Sequence, residues 1–531
     1  MVYCGKASQG CQSCRTRRIK CDKATPDCTQ CVRIGKKCPG YRDQLSLMFR
    51  DESSKVIQKA HAQWGIEAGM DGNPVGSTVF NMDEYADLQS PPSALLSPPH
   101  STSGPVVINR RPTMGPYLQP LIRPNIEERG FSFYVNQYLV GHPDEPRNTR
   151  EVQSEEWLEN PALRGLMVAV GLASLSNLSG KAEFMPHARQ RYGEALRAAG
   201  QMIRADDASS IDVTSRLVVM LALFELVKGA DLSTGSVLAH VAGGAALIRT
   251  QFPMQHLPCQ GVRPLLQLCF STFISAVEAG IPLPALFYDW VTFCRKSMVL
   301  DDNPAIELGL LIARFTEISS SIRGSILQDG KPSTARKIQA LADLNAEMER
   351  WERSLRGTWQ YGLGKRPNLP SAAVFEGEYH MYHDMWVARI WSHYRWARTL
   401  VNEGLLELVD TYPISGTMFA QNSERKSWLS TIRNLCRDTL VSTPSHWRHP
   451  LLDNKPPGSV EQYGSAGAGA AGIPIVLFHL KVAACAPEIP KSWWEWTKGV
   501  VECIWGDMGM LQAKTILQEM KLHEAKLRRK V

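Results

Sequence analysis

The sequence predicts two unequal parts: a small irregular module with two short helices, built on cysteines, and a large all-α domain, joined by a flexible linker. Three observations carry this. Six of the 13 cysteines fall between Cys11 and Cys38. A stretch over about 65–128 is dominated by Gly, Pro, Ser and Asn. Beyond it, apolar residues recur at helical spacing in segment after segment, without long alternating runs. A length of 531 residues also exceeds one compact core, so a small module beside a larger domain is the expected arrangement.

The module comes first, over 1–50. Its cysteines run Cys11-x2-Cys14-x6-Cys21-x6-Cys28-x2-Cys31-x6-Cys38, and the second triplet repeats the first at a constant offset of 17. This duplication predicts two similar segments about a pseudo-two-fold axis. Thiolates select zinc, and structural zinc takes four ligands in a tetrahedron. One ion would strand two cysteines. Two Zn²⁺ ions are satisfied if two of the six thiolates bridge, and symmetry requires the bridging pair to be equivalent members of the triplets. The expected ligands are therefore Cys11, Cys14, Cys21, Cys28, Cys31 and Cys38. An iron–sulfur cluster would use four cysteines and leave two. Disulfides are disfavoured in the reducing compartment expected below, and a metal sink needs no arginines between its ligands. Metal ligation should supply most of the folding free energy, with Ile19, Val32 and Ile34 packed on the metal core.

The positive charge is concentrated in the same place. Residues 1–50 carry eleven basic and three acidic side chains, so their formal excess of +8 exceeds the +7 of the whole chain. A near-neutral body with one basic head points to nucleic acid as the partner. Between Cys14 and Cys21 lies RTRRIK, where a short helix would place Arg15 and Arg18 on one face with Arg17 beside them. An arginine there can span O6 and N7 of guanine in the major groove.

Residues 51–64 could form one short helix, with Val56, Ile57, Ala60 and Trp64 on one side. No heptad repeat continues past it, so it is not a coiled coil, and the head should bind DNA as a monomer or a weak pair. The linker over 65–128 contains SPPSALLSPPHSTSGP and tends toward extended polyproline geometry. The all-helical domain is expected over 129–531, with helices at 159–174, 187–205, 212–228, 235–250, 303–325, 332–358, 380–405, 425–440 and 495–520. IPIVLFHLKVAACA fits a buried helix better than a strand in such surroundings.

Two motifs imitate catalytic sites. GAGAAG at Gly467–Gly472 fits G-x-G-x-x-G, but a loop precedes it and Pro474 follows, so it reads as Gly/Ala at a helix start. HMYHD brings His380, His383 and Asp384 together near His393, yet the flanking aromatics read as a packed helix surface. The other seven cysteines are isolated and read as small buried hydrophobes. The longest unbroken apolar run, Leu217–Phe224, falls far short of the roughly 20 residues that span a bilayer. MVYCGKASQGC has no signal-like apolar core, so an intracellular protein without a membrane partner is expected.

The window CQSCRTRRIKCDKATPDCTQCVRIGKKC, with its turn proline Pro26, resembles the fungal binuclear zinc-cluster (Zn2Cys6) family of transcription factors. The resemblance implies that Cys11 and Cys28 bridge the metals, that Cys14 and Cys21 complete one ion, and that Cys31 and Cys38 complete the other. It further implies that the basic stretch reads a CGG-type triplet of double-stranded DNA, with Arg18 at the main base-contacting position and Arg17 next to it. Arg15, Lys20, Lys23, Arg33, Lys36 and Lys37 would then meet phosphates. FSFYVNQYLVG, HVAGGAALIRT and YHDMWVARIWSHYRWAR are similar to the fungal-specific transcription factor domain found in that family. The expectation is a nuclear regulator of RNA polymerase II genes, not an enzyme, controlling a metabolic or secondary-metabolite gene cluster. Its partners would be DNA, transcriptional machinery or co-regulators, and a second copy held through the helical domain. The alternative is an enzyme or metabolite-binding helical body carrying a zinc-dependent interaction module.

Overall fold

The structure is a computed structural model. It describes residues 11–38, apart from 18, 23, 25–26 and 36–37, and residues 125–528, apart from 143–148, 153–155, 205–210, 230–261, 284–286, 289–290, 293–294, 296–301, 326–330, 413–421, 453–459 and 463–471. The expected helices at 51–64 and 235–250, and the linker up to residue 124, lie outside the described residues. The chain divides into two units, Met1–Val79 and Phe80–Val531.

In the first unit, α1 (Gln12–Thr16) and α2 (Thr29–Val32) are single turns, each starting one residue after the first cysteine of a triplet. The second unit is mostly helical. Its α3 (Ile126–Tyr134) begins inside the stretch read as linker. Asn125 caps it reciprocally, accepting from Glu128 N at 2.8 Å while Glu128 accepts from Asn125 N at 2.9 Å. A π-helical turn, Val135–Leu139, continues it.

α4 (Pro161–Ser179) starts at a proline behind the Asn160 cap and ends at Gly180 in the left-handed conformation. By length and hydropathy alone it could cross a membrane. However, 61% of its apolar window is buried within the protein, because α3, α5 (Phe184–Arg204) and α6 (Ile211–Lys228) pack around it. The α3–α4 crossing requires glycine, since a Cβ on Gly171 would lie 1.9 Å from the Gly130 carbonyl oxygen.

Beyond α7 (Val262–Ala279), which was not among the expected helices, α8 (Asn303–Ser325) and α9 (Lys331–Ser354) form an antiparallel pair. The expected helix over 380–405 begins only at Met385. Residues Glu378–Asp384 are a strand instead, β2, paired antiparallel with β1 (Gly362–Lys365) and parallel with β3 (Val460–Gln462). The domain is mostly helical as expected, and this small sheet departs from the expectation only where the helix over 380–405 should have begun. Backbone pairing with distant segments overrides the local pattern, which the two aromatic flanks made look helical.

β2 hands directly into α10 (Met385–Thr411), the most buried long helix of the domain. Asp384 makes the junction. Its carboxylate caps Val387 N at 2.8 Å and pairs with Arg263 of α7 at 3.0 Å, while Arg263 also pairs with Asp302 at 3.0 Å. Against α10 pack α9, α11 (Asn422–Val441) and α12 (Ile473–Cys485), the last being the buried helix expected from IPIVLFHLKVAACA. The single expected helix over 495–520 is two, α13 (Lys491–Met508) and α14 (Leu511–Arg528). They are broken at Gly509, whose φ of 63° and 2.5 Å approach of a would-be Cβ to the Ser174 carbonyl admit only glycine.

Replacing Asp384 with Ala removes a helix cap and one partner of a mostly buried arginine, so it should destabilise the domain by about 2–5 kcal/mol. Asp384→Asn, which keeps a cap oxygen, should cost less. Thermal unfolding followed by circular dichroism measures both. Equal losses from the two changes would show that capping adds nothing here.

Candidate metal centre and nucleic-acid interface

The site is assembled by two copies of one local device. Cys11 and Cys28 each stand immediately before a helical turn, and Cys14 and Cys31 lie within the turns. As N-cap of α2, Cys28 has extended backbone (φ −69°, ψ 142°), and its carbonyl accepts from Cys31 N at 2.9 Å. In the first turn Cys14 N donates to Cys11 Sγ at 3.4 Å, a bond that favours a thiolate. Cys21 and Cys38 return from the far end of each six-residue spacer.

The resulting sulfur geometry is specific. Cys11 Sγ lies 3.7 Å from both Cys28 Sγ and Cys31 Sγ, and Cys14 Sγ lies 3.7 Å from Cys28 Sγ. A disulfide would hold the sulfurs at about 2.05 Å. The edge of a tetrahedron of sulfurs about 2.3 Å from a central zinc is about 3.8 Å. The sulfurs fall into two sets of four, Cys11, Cys14, Cys21, Cys28 and Cys11, Cys28, Cys31, Cys38, with all ligand atoms of a set within 4.8 Å of one another. The two sets share Cys11 and Cys28. Either set can coordinate a metal ion.

Among the described residues, the interior of this module consists of the six cysteines alone. Ile19, Val32 and Ile34, expected on the metal core, are 37%, 62% and 39% exposed. The correction has a steric reason, because sulfur-to-sulfur packing leaves no room inside for branched side chains. Two acidic residues that the sequence reading passed over tie the module together instead, one across the halves and one within the second. Asp22, directly after the third cysteine, accepts from Thr29 N at 3.2 Å and from the Thr29 hydroxyl, so it clamps the start of α2. Those bonds hold its carboxyl below the usual carboxylate range, the Thr29 hydroxyl contributing most. Asp27, directly before the fourth cysteine, accepts from Cys38 N at 3.1 Å. Two acids beside ligands in an otherwise basic module were the available signal.

Of the side chains expected to meet DNA, Arg17, Lys20 and Arg33 are exposed. Arg17 directly follows α1, where its N–H donates to the Ser13 carbonyl at 3.2 Å, and Arg33 caps the end of α2. Arg15 lies on α1, with its side chain outside the described residues. Arg18, Lys23, Lys36 and Lys37, and the turn proline Pro26, are outside them too.

The imitation sites dissolve in the fold. His380 bonds the Tyr382 hydroxyl at 3.1 Å, Asp384 caps α10, and His393 sits between the rings of Phe270 and His479. Burial pushes His380 down to about 2 and His393 to about 3, so both stay neutral. Of the GAGAAG segment only Gly472 is described, as the N-cap of α12.

Residues 9–47 match the family model of the fungal Zn(2)-Cys(6) binuclear cluster domain. Through this module the chain belongs to the fungal Zn(2)-Cys(6) binuclear cluster family. The chain is 49% identical over 56 residues to an aspercryptin biosynthesis cluster-specific transcription regulator of Emericella nidulans, covering 10% of this chain and 9% of the relative. It is 56% identical over 38 residues to White-opaque regulator 2 of Candida albicans, covering 7% and 8%. A depudecin biosynthesis cluster-specific transcription activator of Fusarium langsethiae is 26% identical over 102 residues, covering 18% and 16%. All three are named as regulators, not enzymes. Each match spans less than a fifth of the relative's length. No solved structure matches the chain.

If Asp22 joins the two halves of the zinc-cluster module, Asp22→Ala should loosen Thr29 and the α2 turn without removing a ligand. Amide exchange at Thr29 and Cys31 should quicken, while the metal content of the purified chain stays unchanged. Unaltered exchange would show that sulfur ligation alone positions α2.

Proposed function

We propose that this chain is a nuclear, sequence-specific DNA-binding regulator of transcription whose zinc-cluster module reads a CGG-type triplet. The observation that carries this reading is the pair of four-sulfur sets sharing Cys11 and Cys28, set in a segment with a formal charge of +8. Two zinc ions fit these sets: Cys14 and Cys21 complete the first, Cys31 and Cys38 the second, and Cys11 and Cys28 bridge. Six thiolates against two divalent cations leave the module strongly positive, which suits it to a phosphate backbone.

The basic stretch between Cys14 and Cys21 meets the major groove in this reading. Arg18 reads guanine with Arg17 next to it, and Arg15, Lys20, Lys23, Arg33, Lys36 and Lys37 hold phosphates. One module has a small footprint, so a single head binds weakly as a monomer. Self-association of the helical body, acting through the linker, raises the effective concentration of a second head. Two of the relatives named above bear the names of biosynthesis cluster-specific regulators. Control of a metabolic or secondary-metabolite gene cluster, with co-regulators recruited by the helical body, is the matching role.

The purified chain should carry two zinc ions by elemental analysis, and chelation should unfold the zinc-cluster module. Cys11→Ser or Cys28→Ser should abolish both sites, whereas Cys14→Ser or Cys38→Ser should first weaken one. A single zinc per chain would overturn the binuclear reading.

On DNA, Arg18→Ala should cost about 1–3 kcal/mol at a CGG-type site and flatten sequence preference. Lys36→Ala or Lys37→Ala should weaken binding evenly across sequences and lower the salt slope by roughly one. Fluorescence anisotropy on cognate and scrambled duplexes at several salt concentrations measures both. Equal loss of specificity from the two classes of change would refute the division into base and phosphate contacts.

A further inference from the structure

The two halves of the zinc-cluster module follow one sequence repeat but are not closed to the same degree. In the set Cys11, Cys28, Cys31 and Cys38 every cysteine is buried, the first three at 0% exposure and Cys38 at 8%. In the set Cys11, Cys14, Cys21 and Cys28, three are 0% exposed while Cys21 is only partly buried. The one partly exposed cysteine of the six thus belongs to the first set alone.

The repeat shows where the difference arises. At the offset of 17, the counterpart of Asp27 is Gly10 and that of Asp22 is Pro39, so neither carboxylate has an equivalent in the other half. Both ties end in the second half: Asp22 on Thr29 at the start of α2, and Asp27 on the backbone N–H of Cys38. For Cys21, the mate of Cys38 in the repeat, the position matching Asp27 is a glycine with no side chain to offer. The second set is enclosed and braced; the first is open at Cys21.

We propose that Cys21 is a redox modification site, the thiolate through which a small peroxide opens the first four-sulfur set while the second stays closed. The proposal rests on the two-zinc reading above. Metal ligation keeps all six sulfurs as thiolates, so access decides which of them an oxidant reaches, and access favours Cys21. Its sulfur attacks one peroxide oxygen: an S–O bond forms, the O–O bond breaks, and the departing hydroxide takes a proton to become water. Cys14 supplies the second thiolate, because its sulfur lies within 4.8 Å of that of Cys21 and belongs to no other set. A bridging thiolate, its charge shared between two cations, is the weaker nucleophile. The Cys14 sulfur attacks the sulfenic sulfur, an S–S bond forms, the S–O bond breaks, and the leaving hydroxide is protonated to a second water. Two thiolates have then lost two electrons and peroxide has gained them. The first set retains only Cys11 and Cys28, which the second set shares, and no longer offers four ligands to an ion. The basic stretch with Arg15, Arg17, Arg18 and Lys20 runs between the two withdrawn cysteines, so both of its anchors leave the metal cluster together.

The test uses the full zinc-loaded chain, its two zinc ions first counted by elemental analysis. Hydrogen peroxide is added in steps, released zinc is read with a chromogenic chelator, and the cysteines still reduced are alkylated and located by mass spectrometry. The expected result is release of one of the two ions in step with loss of alkylation at Cys14 and Cys21, several-fold faster than at Cys31 and Cys38. A Cys14–Cys21 disulfide should appear in the peptide map, and a phosphine reductant with added zinc should restore the second ion. Cys21→His, which puts an imidazole ligand in place of the exposed thiolate, should keep both ions at the peroxide level that empties the first set of the unsubstituted chain. Should that variant fail to take up two ions, the order of oxidation in the unsubstituted chain still decides. These readouts do not require DNA, so their failure is distinct from failure of the DNA-reading role. Release of both ions together, first oxidation at Cys31 or Cys38, or oxidation of Cys21 with both ions retained would overturn the proposal. One zinc ion per untreated chain would overturn the two-zinc reading itself, and this proposal with it.

Discussion

The shared pair of sulfurs is the constraint on which the N-terminal module depends. Cys11 and Cys28 belong to both four-sulfur sets, so the two halves cannot be positioned independently. Each stands just before a helical turn, and the turn then carries the second cysteine of its triplet into the same cluster of sulfurs. With only sulfur inside, a module of this size has no apolar core to hold it, and its apolar side chains face outward. The Asp22 carboxylate adds a tie between the halves, and that of Asp27 closes the second half on itself. The same economy leaves the surface free for basic residues, which suits the module to an anionic partner.

The helical domain rests on a different logic, that of a buried central helix with polar groups matched one by one. α10 buries three tryptophans and a fully enclosed arginine. Arg395 is tolerated there because hydroxyl, imidazole and aromatic faces surround it, so its charge is spread over several weak contacts. At the start of the same helix, Asp384 serves as cap, strand end and ion-pair partner at once. Such doubled roles explain why the short sheet lies where it does, since β2 delivers Asp384 to α10 in register with Arg263.

How legible each part was depends on whether its cause is local. The metal centre could be read from spacing because ligand geometry is set within short segments and repeated at a fixed offset. Asn303–Ser325 and Ile473–Cys485 were legible for a similar reason, their apolar runs being bounded by proline or glycine signals. The strand at Glu378–Asp384 was not. Its tyrosines and histidines look helical beside Trp386 and Trp391, and only partners at Gly362–Lys365 and Val460–Gln462 select the extended form. Gly509 hid a break between two helices because an isolated glycine inside a helical pattern is usually tolerated. Contact with Ser174, far away in sequence, makes it decisive.

The sequence by itself determined the duplicated cysteine frame, the basic head, the near-neutral body and the helical character of most of that body. These follow from composition and from patterns that repeat within a few turns. Tertiary structure alone decided that Ile19, Val32 and Ile34 face outward and that Asp22 ties the two halves. It also decided that Tyr361, Trp391 and Arg395 pack against one another. The physical reason is the same in each case: these contacts join residues that local spacing does not relate, and their energy exists only once the chain has closed on itself.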